Sequence, residues 1–143
     1  KLESAIRNTV WPGRLEILKY KNKSIILDGS HNIDGAKKLQ EFLKIKKIKP
    51  IVIFGMLNNK KLNYFLKIIK NQVSKLLAIK IPDEENAYVT KQISKSCKLN
   101  SIDCYELKSL NEAINYINRS DQKTFLFTGS LYLIGKIRVK FLY

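Results

Sequence analysis

Ile25-Ile26-Leu27-Asp28-Gly29-Ser30-His31-Asn32 decides the fold. Three apolar residues run into an acid, a glycine, a hydroxyl, an imidazole and an amide, and helical periodicity starts immediately afterwards, with Ala36, Leu39, Phe42 and Leu43 on one face. That is a buried strand ending in a polar turn at a helix N-terminus, the unit from which parallel α/β sheets are built. In such sheets ligands bind where strands end and helices begin. Here Asp28 can accept hydrogen bonds from ribose hydroxyls, Gly29 permits a tight turn or close backbone approach, and the helix start offers unpaired N–H groups to a phosphate. A purely structural account fits the same residues: Asn32 is a good N-cap and Asp34 a good first-turn acid.

The same grammar recurs outward from this stretch. Upstream, Leu15 to Lys19 and Ser24 to Asp28 flank the polar residues Tyr20 to Lys23, as in a hairpin. Downstream, a helix from about Asn32 to Lys46 leads past Pro50 to a strand at Ile51 to Gly55. A second helix, roughly Lys60 to Val73, carries Leu62, Phe65, Leu66, Ile69 and Val73 as an apolar stripe. The strand Leu76 to Ile81, a helix marked by Val89, Ile93 and Cys97, the strand Ile102 to Glu106, and a short helix around Leu110, Ala113, Ile114 and Ile117 follow. The strand Thr124 to Thr128 and a helix from about Ser130 to Lys140 close the chain. This alternation predicts an α/β domain: a Rossmann-like, mostly parallel sheet of about six strands with helices on both faces.

Composition narrows the function classes. At 143 residues and 45% hydrophobic content the chain suits one core. Residues 11–143 are read as one domain and residues 1–10 as a lead-in. The chain opens on Lys1, with no secretory pattern, so the expectation is a cytoplasmic protein cut from something longer. The most apolar run, Phe125 to Ile134, is interrupted by Thr128, Gly129 and Ser130, too short for a membrane span. The 27 basic against 12 acidic residues give a net charge of +15. Only Arg7, Arg14, Arg119 and Arg138 are arginines, however, and the lysines are spread over every segment, a pattern of a solvated surface and not of a nucleic-acid stripe. Cys97 and Cys104 with the single His31 supply too few ligands for structural zinc, and reduced thiols are expected.

Two further segments can carry chemistry. Phe125-Leu126-Phe127-Thr128-Gly129-Ser130 repeats the strand, glycine and hydroxyl before a helix, where Ser130 can also serve as a cap. Trp11-Pro12-Gly13-Arg14 is a rigid turn able to aim an arginine at a phosphate. Together, Trp11-Pro12-Gly13-Arg14-Leu15-Glu16, Leu27-Asp28-Gly29-Ser30-His31-Asn32 and Thr128-Gly129-Ser130-Leu131-Tyr132-Leu133-Ile134-Gly135 closely resemble the C-terminal domain of folylpolyglutamate and dihydrofolate synthases, within the Mur ligase superfamily.

The resemblance implies a ligase that activates a dihydropteroate or folate carboxylate as an acyl phosphate with ATP and Mg2+, after which L-glutamate displaces phosphate to form an amide. In that family the site lies between an N-terminal ATPase domain, which mainly holds Mg2+, and this domain. The lead-in would then come from that absent domain, and the chain alone is expected to be inactive. No G-x-x-x-x-G-K-[ST] phosphate loop occurs in these residues. By motif, Arg14 matches a phosphate contact and Asp28 a ribose contact, so both are cofactor-binding candidates. His31 matches a motif histidine near phosphate and the glutamate-addition site, and Ser130 matches the closing glycine-serine loop implicated in the reaction, so these two are the catalytic candidates. No residue is a metal candidate. Arg14, Asp28 and His31 are expected to converge on one outward-facing patch. Two positions depart from the family pattern: Ser30 stands where alanine is usual, and Asn58-Asn59-Lys60-Lys61 stands where an Asp-Lys-Asp run is common. No role carries over to that loop beyond a Lys60 contact. The competing readings are a peptidoglycan-precursor ligase of the same superfamily, against which the Trp11 to Glu16 block argues, and a basic nucleic-acid-binding module resting on charge alone.

Overall fold

A computed structural model of the chain describes residues 14–142. Trp11, Pro12 and Gly13 and the expected lead-in lie outside the described residues. The elements are β1 (Glu16–Tyr20), β2 (Lys23–Asp28), α1 (Ile33–Lys46), β3 (Ile51–Phe54), α2 (Leu62–Ile69), β4 (Lys75–Ala78), α3 (Thr90–Leu99), β5 (Cys104–Glu106), α4 (Leu110–Arg119), β6 (Thr124–Thr128) and α5 (Leu131–Leu142). They form one six-stranded sheet in the order β1-β2-β6-β3-β4-β5. β1 pairs antiparallel with β2, and every other pairing is parallel.

The hairpin turns on Lys21 and Asn22, both left-handed at φ 48° and 66°. Two such residues give the turn twist that matches paired strands. From there β2 runs beside β6, with Ile25 opposite Phe125 and Leu27 opposite Phe127. Because alternate strand residues face opposite sides, the register splits the core in two. Ile25, Leu27, Ile51, Ile53, Phe125 and Phe127 pack under α4 and α5 through Leu110, Ala113, Ile117, Leu133, Ile134 and Ile137. Ile26, Val52, Phe54, Leu76 and Leu126 pack under α1, α2 and α3 through Ala36, Leu39, Leu43, Phe65, Leu66, Ile69, Ile93 and Cys97. Helices therefore cover both faces, as the alternation predicted. No helix among the described residues is long and apolar enough to cross a membrane.

Several boundaries differ from the sequence reading, three of them for a clear local reason. The second helix ends at Ile69 and tightens into a single 3-10 turn at Lys70–Gln72. Gln40 donates to the Ile68 carbonyl at 2.9 Å, and Ser74 turns to the Pro50 carbonyl. β4 stops at Ala78, not Ile81, because β3 ends at Phe54 and the last rung is the Ile79 N–H to the Phe54 carbonyl at 2.9 Å. β5 begins at Cys104, since Ile102 is spent closing α3 through its N–H to the Cys97 carbonyl at 2.9 Å.

Candidate functional site at the carboxyl edge of the sheet

Asp28, Thr128 and Phe54 stand abreast at the ends of β2, β6 and β3. The next residue on each strand is a glycine: Gly29, Gly129 and Gly55. At Gly129 the reason is steric: its φ is +112°, and a Cβ there would lie 2.2 Å from the Gly55 carbonyl oxygen. Only glycine fits this crossing. It lets β6 turn sharply into α5, while the Gly129 N–H donates to the Ser30 carbonyl at 3.1 Å and ties the two motif turns together.

Asp28 is 4% exposed. Its Oδ1 accepts the Leu15 N–H and its Oδ2 the Ser30 N–H, each at 3.3 Å. Burial pushes its carboxyl above the usual carboxylate range, against the opposing pull of the Ser30 and Leu15 hydrogen bonds and the Arg14 charge. Leu15 itself is left-handed at φ 53°, a costly conformation for leucine that the Asp28 bond helps to hold. Asp28 thus fastens the exposed Arg14 segment to the turn after β2.

His31 Nδ1 lies 3.0 Å from the Gly29 carbonyl oxygen. A carbonyl only accepts, so Nδ1 carries the hydrogen, and Nε2 remains free for a ligand. Asn32 caps α1 by accepting the Gly35 N–H at 2.8 Å. Gly35 is also required for space, as a Cβ there would meet Ser30 Cβ at 2.8 Å. Ser130 is 3% exposed and caps α5, its Oγ accepting the Tyr132 N–H at 3.1 Å. Its hydroxyl hydrogen is left to donate elsewhere.

His31, Lys60, Gly129, Ser130, Leu57, Leu131 and Tyr132 line one cleft of about 250 Å3. Lys60 is placed by its backbone: its N–H donates to the Leu57 carbonyl at 3.1 Å and its carbonyl accepts Tyr88 Oη at 2.6 Å. The structure therefore brings together His31, Ser130 and Lys60. It does not bring Arg14 and Asp28 into that cleft. Arg14 is exposed and Asp28 buried, so the single outward patch expected of Arg14, Asp28 and His31 is instead two adjoining units sharing the Gly29–Ser30 turn. The difference has a simple cause: the Asp28 oxygens accept the backbone N–H groups of Leu15 and Ser30.

Sequence reasoning missed Leu57, Leu131 and Tyr132 as cleft walls, and Thr128, whose buried Oγ1 has no hydrogen-bond partner among the described residues. Tyr132 and Thr128 both stand inside the recognised motif, but nothing local distinguishes a lining residue from a packed one.

The cleft offers an imidazole, an ammonium, a hydroxyl and the start of α5, and no carboxylate. That set fits an anionic group such as a phosphate or a carboxylate. It does not fit a metal ion, and among the described residues no three His, Cys, Asp or Glu side chains gather closely enough to hold one. Cys97 and Cys104 are free thiols.

A family model described as "Mur ligase, glutamate ligase domain" matches residues 13–131. The dihydrofolate synthase/folylpolyglutamate synthase of Bacillus subtilis is 27% identical over 141 residues, covering 96% of this chain and 32% of the relative. A probable dihydrofolate synthetase of Schizosaccharomyces pombe is 26% identical, covering 94% of this chain and 35% of its own. The crystal structure of folylpolyglutamate synthase from Thermotoga maritima superposes with a TM-score of 0.80 at 26% identity, over 92% of this chain and 31% of that one. The Mycobacterium tuberculosis folylpolyglutamate synthase complexed with ADP shares the fold, with a TM-score of 0.80 at 18% identity over 94% of this chain and 33% of its own. The chain spans about a third of the length of these relatives. With the family model covering all six strands and every cleft residue but Tyr132, the chain belongs to the Mur ligase glutamate ligase domain family.

Proposed function

We propose that this chain is the C-terminal domain of an ATP-dependent ligase, cytoplasmic in setting, that adds L-glutamate to dihydropteroate, to folates, or to both. The observation that carries the reading is the carboxylate-free cleft, in which His31, Lys60 and Ser130 meet at the start of α5. Within a family described by glutamate ligation, and with relatives named for dihydrofolate and folylpolyglutamate synthesis, such a cleft suits an anionic reactant.

Amide formation from a carboxylate requires activation, because its carbonyl carbon resists attack. ATP supplies that activation by converting the carboxylate to an acyl phosphate, and the glutamate amine then attacks the acyl carbon and expels inorganic phosphate. This chain's residues bind and orient. Lys60 Nζ and the α5 N-terminus hold the anionic reactant, and the Ser130 hydroxyl donates to it. His31 Nε2, with its lone pair free, accepts the proton that the amine must lose. Arg14 reaches towards nucleotide phosphate. Each Asp28 oxygen keeps a lone pair beyond its backbone bond with which to meet a ribose hydroxyl, while fixing Arg14 in place. Mg2+ falls to residues of an N-terminal ATPase domain that closes on this edge.

The test is product analysis of the full-length protein with ATP, Mg2+, L-glutamate and either dihydropteroate or a reduced folate. Glutamate-dependent ADP release with a pteroyl product of one added glutamate is expected. Ligation only to nucleotide-sugar acceptors would favour a peptidoglycan-precursor ligase. DNA binding with a steep salt dependence and no ligation would favour the basic module.

A further inference from the structure

Beside the cleft, and outside every motif that identifies the family, lies a second groove of about 570 Å3 on the α4–α5 face. Its charged lining is Lys80, Lys108, Lys136 and Lys140 against Asp83. Those lysines are mostly not neutralised. Lys80 Nζ rests on the Glu84 carbonyl at 2.7 Å and Lys140 Nζ on Asn111 Oδ1 at 3.2 Å, both uncharged acceptors. Among the described residues only Lys136 is ion-paired, to Asp83 at 3.2 Å, and both partners are solvent-exposed. The Lys108 side chain has no partner among the described residues. Like charges gathered without counter-charges repel one another, and an anionic ligand relieves that repulsion.

Two other grooves show that this is not merely the basic surface of the whole chain. The one beside β5 sets Lys75 and Arg119 against Glu112, and the one between α2 and α3 carries only Lys61 and Lys95.

The groove also shares α5 with the cleft. Tyr132, a cleft wall, is followed on that helix by Lys136 and Lys140 at four-residue steps, which places them along one side with about 6 Å between successive residues. An extended anionic chain whose reacting end sits at His31 and Ser130 would pass Tyr132 and reach Lys136 and the other groove lysines. The lysines are point charges on flexible stems, suited to separate carboxylates, and no aromatic ring lines the groove to stack a base.

Resting on the ligase reading above, we infer that this four-lysine groove receives the chain of carboxylates of an acceptor already carrying several glutamates, so that the domain holds the growing tail as well as the next glutamate.

The full-length protein tests this through the paired variant Lys108→Ala/Lys140→Ala and its charge-preserving counterpart Lys108→Arg/Lys140→Arg. The first readout is anisotropy of a labelled glutamate tetrapeptide in α-linked and γ-linked forms. The second is KM for acceptors bearing one or four glutamates. The alanine pair should weaken tetrapeptide binding and raise KM for the four-glutamate acceptor about tenfold, equivalent to about 1.4 kcal/mol. KM for the one-glutamate acceptor and kcat should stay unchanged, and the arginine pair should behave as the native protein. Equal loss on both acceptors, no binding of either tetrapeptide, or equally tight binding of an oligothymidylate of matched charge would overturn the inference. The two readings fail separately. A protein that ligates glutamate but binds no tetrapeptide defeats the groove alone, whereas one that binds the tetrapeptide through these lysines but ligates nothing defeats the activity.

Discussion

Arg138 on α5 grips Glu16 on β1 with two parallel bonds, Nε to Oε1 at 3.1 Å and Nη2 to Oε2 at 2.9 Å, although 122 residues separate them. Glu16 is 0% exposed, so the pair joins the edge strand that follows Arg14 to the helix that follows Ser130. Replacing Arg138 by alanine leaves a buried carboxylate without this partner. A loss of about 1–3 kcal/mol in unfolding free energy by denaturant titration is expected.

Gly129→Ala should be damaging in a different way. Its added Cβ meets backbone, the Gly55 carbonyl oxygen at 2.2 Å, at a residue whose φ of +112° already excludes most side chains. No flexible side chain can move aside. The expected cost exceeds about 1 kcal/mol, with a lowered melting temperature and a disturbed cleft. A melting temperature equal to the native value would show that the β6–α5 turn is looser than described.

Asp28 gives a pH dependence with a defined sign. Its carboxyl titrates above the ordinary value of 3.8 because burial disfavours the charge. The folded state therefore binds this proton more tightly than the unfolded chain does. Its stability contribution is fully present below the unfolded value and declines as pH rises through the raised folded value. Relative to Asp28→Asn, the native protein should hold a larger stability advantage near the acid end than at neutral pH. Denaturant titrations at a series of pH values check this, and an advantage that grows with pH would contradict it.

Much of the fold was legible because each local signal agreed with the global one. Leu27 and Phe127 read as strand interiors, and they are register partners; Leu62, Phe65, Leu66 and Ile69 read as a buried stripe, and they are buried. What escaped the sequence was long-range or three-dimensional. Nothing near Glu16 announces Arg138. Asp28 at a strand end reads the same whether its oxygens face a ligand or the Leu15 and Ser30 N–H groups. Motif comparison makes Lys60 no more than a contact, and its place beside His31 depends on the Leu57 turn and on Tyr88 reaching its carbonyl.

Separated from any N-terminal domain, the 143-residue chain should release no ADP in the presence of ATP, glutamate and a folate. Its cleft holds no carboxylate, and no metal-ligand cluster exists among the described residues. Steady-state ADP assays on the purified chain check this. Turnover that depends on both glutamate and folate would mean that the domain completes its own site.

The central claim is that the cleft around His31 is one wall of a ligase site, and the most direct measurement is turnover of full-length His31→Ala beside its melting temperature. His31 is half-buried and bonds only the Gly29 carbonyl among the described residues, so its removal should change stability by about 0.5 kcal/mol or less. Losing a positioned proton acceptor should lower kcat about 100-fold. A native rate of glutamate ligation combined with a lowered melting temperature would contradict the account and make His31 a brace of the turn after β2.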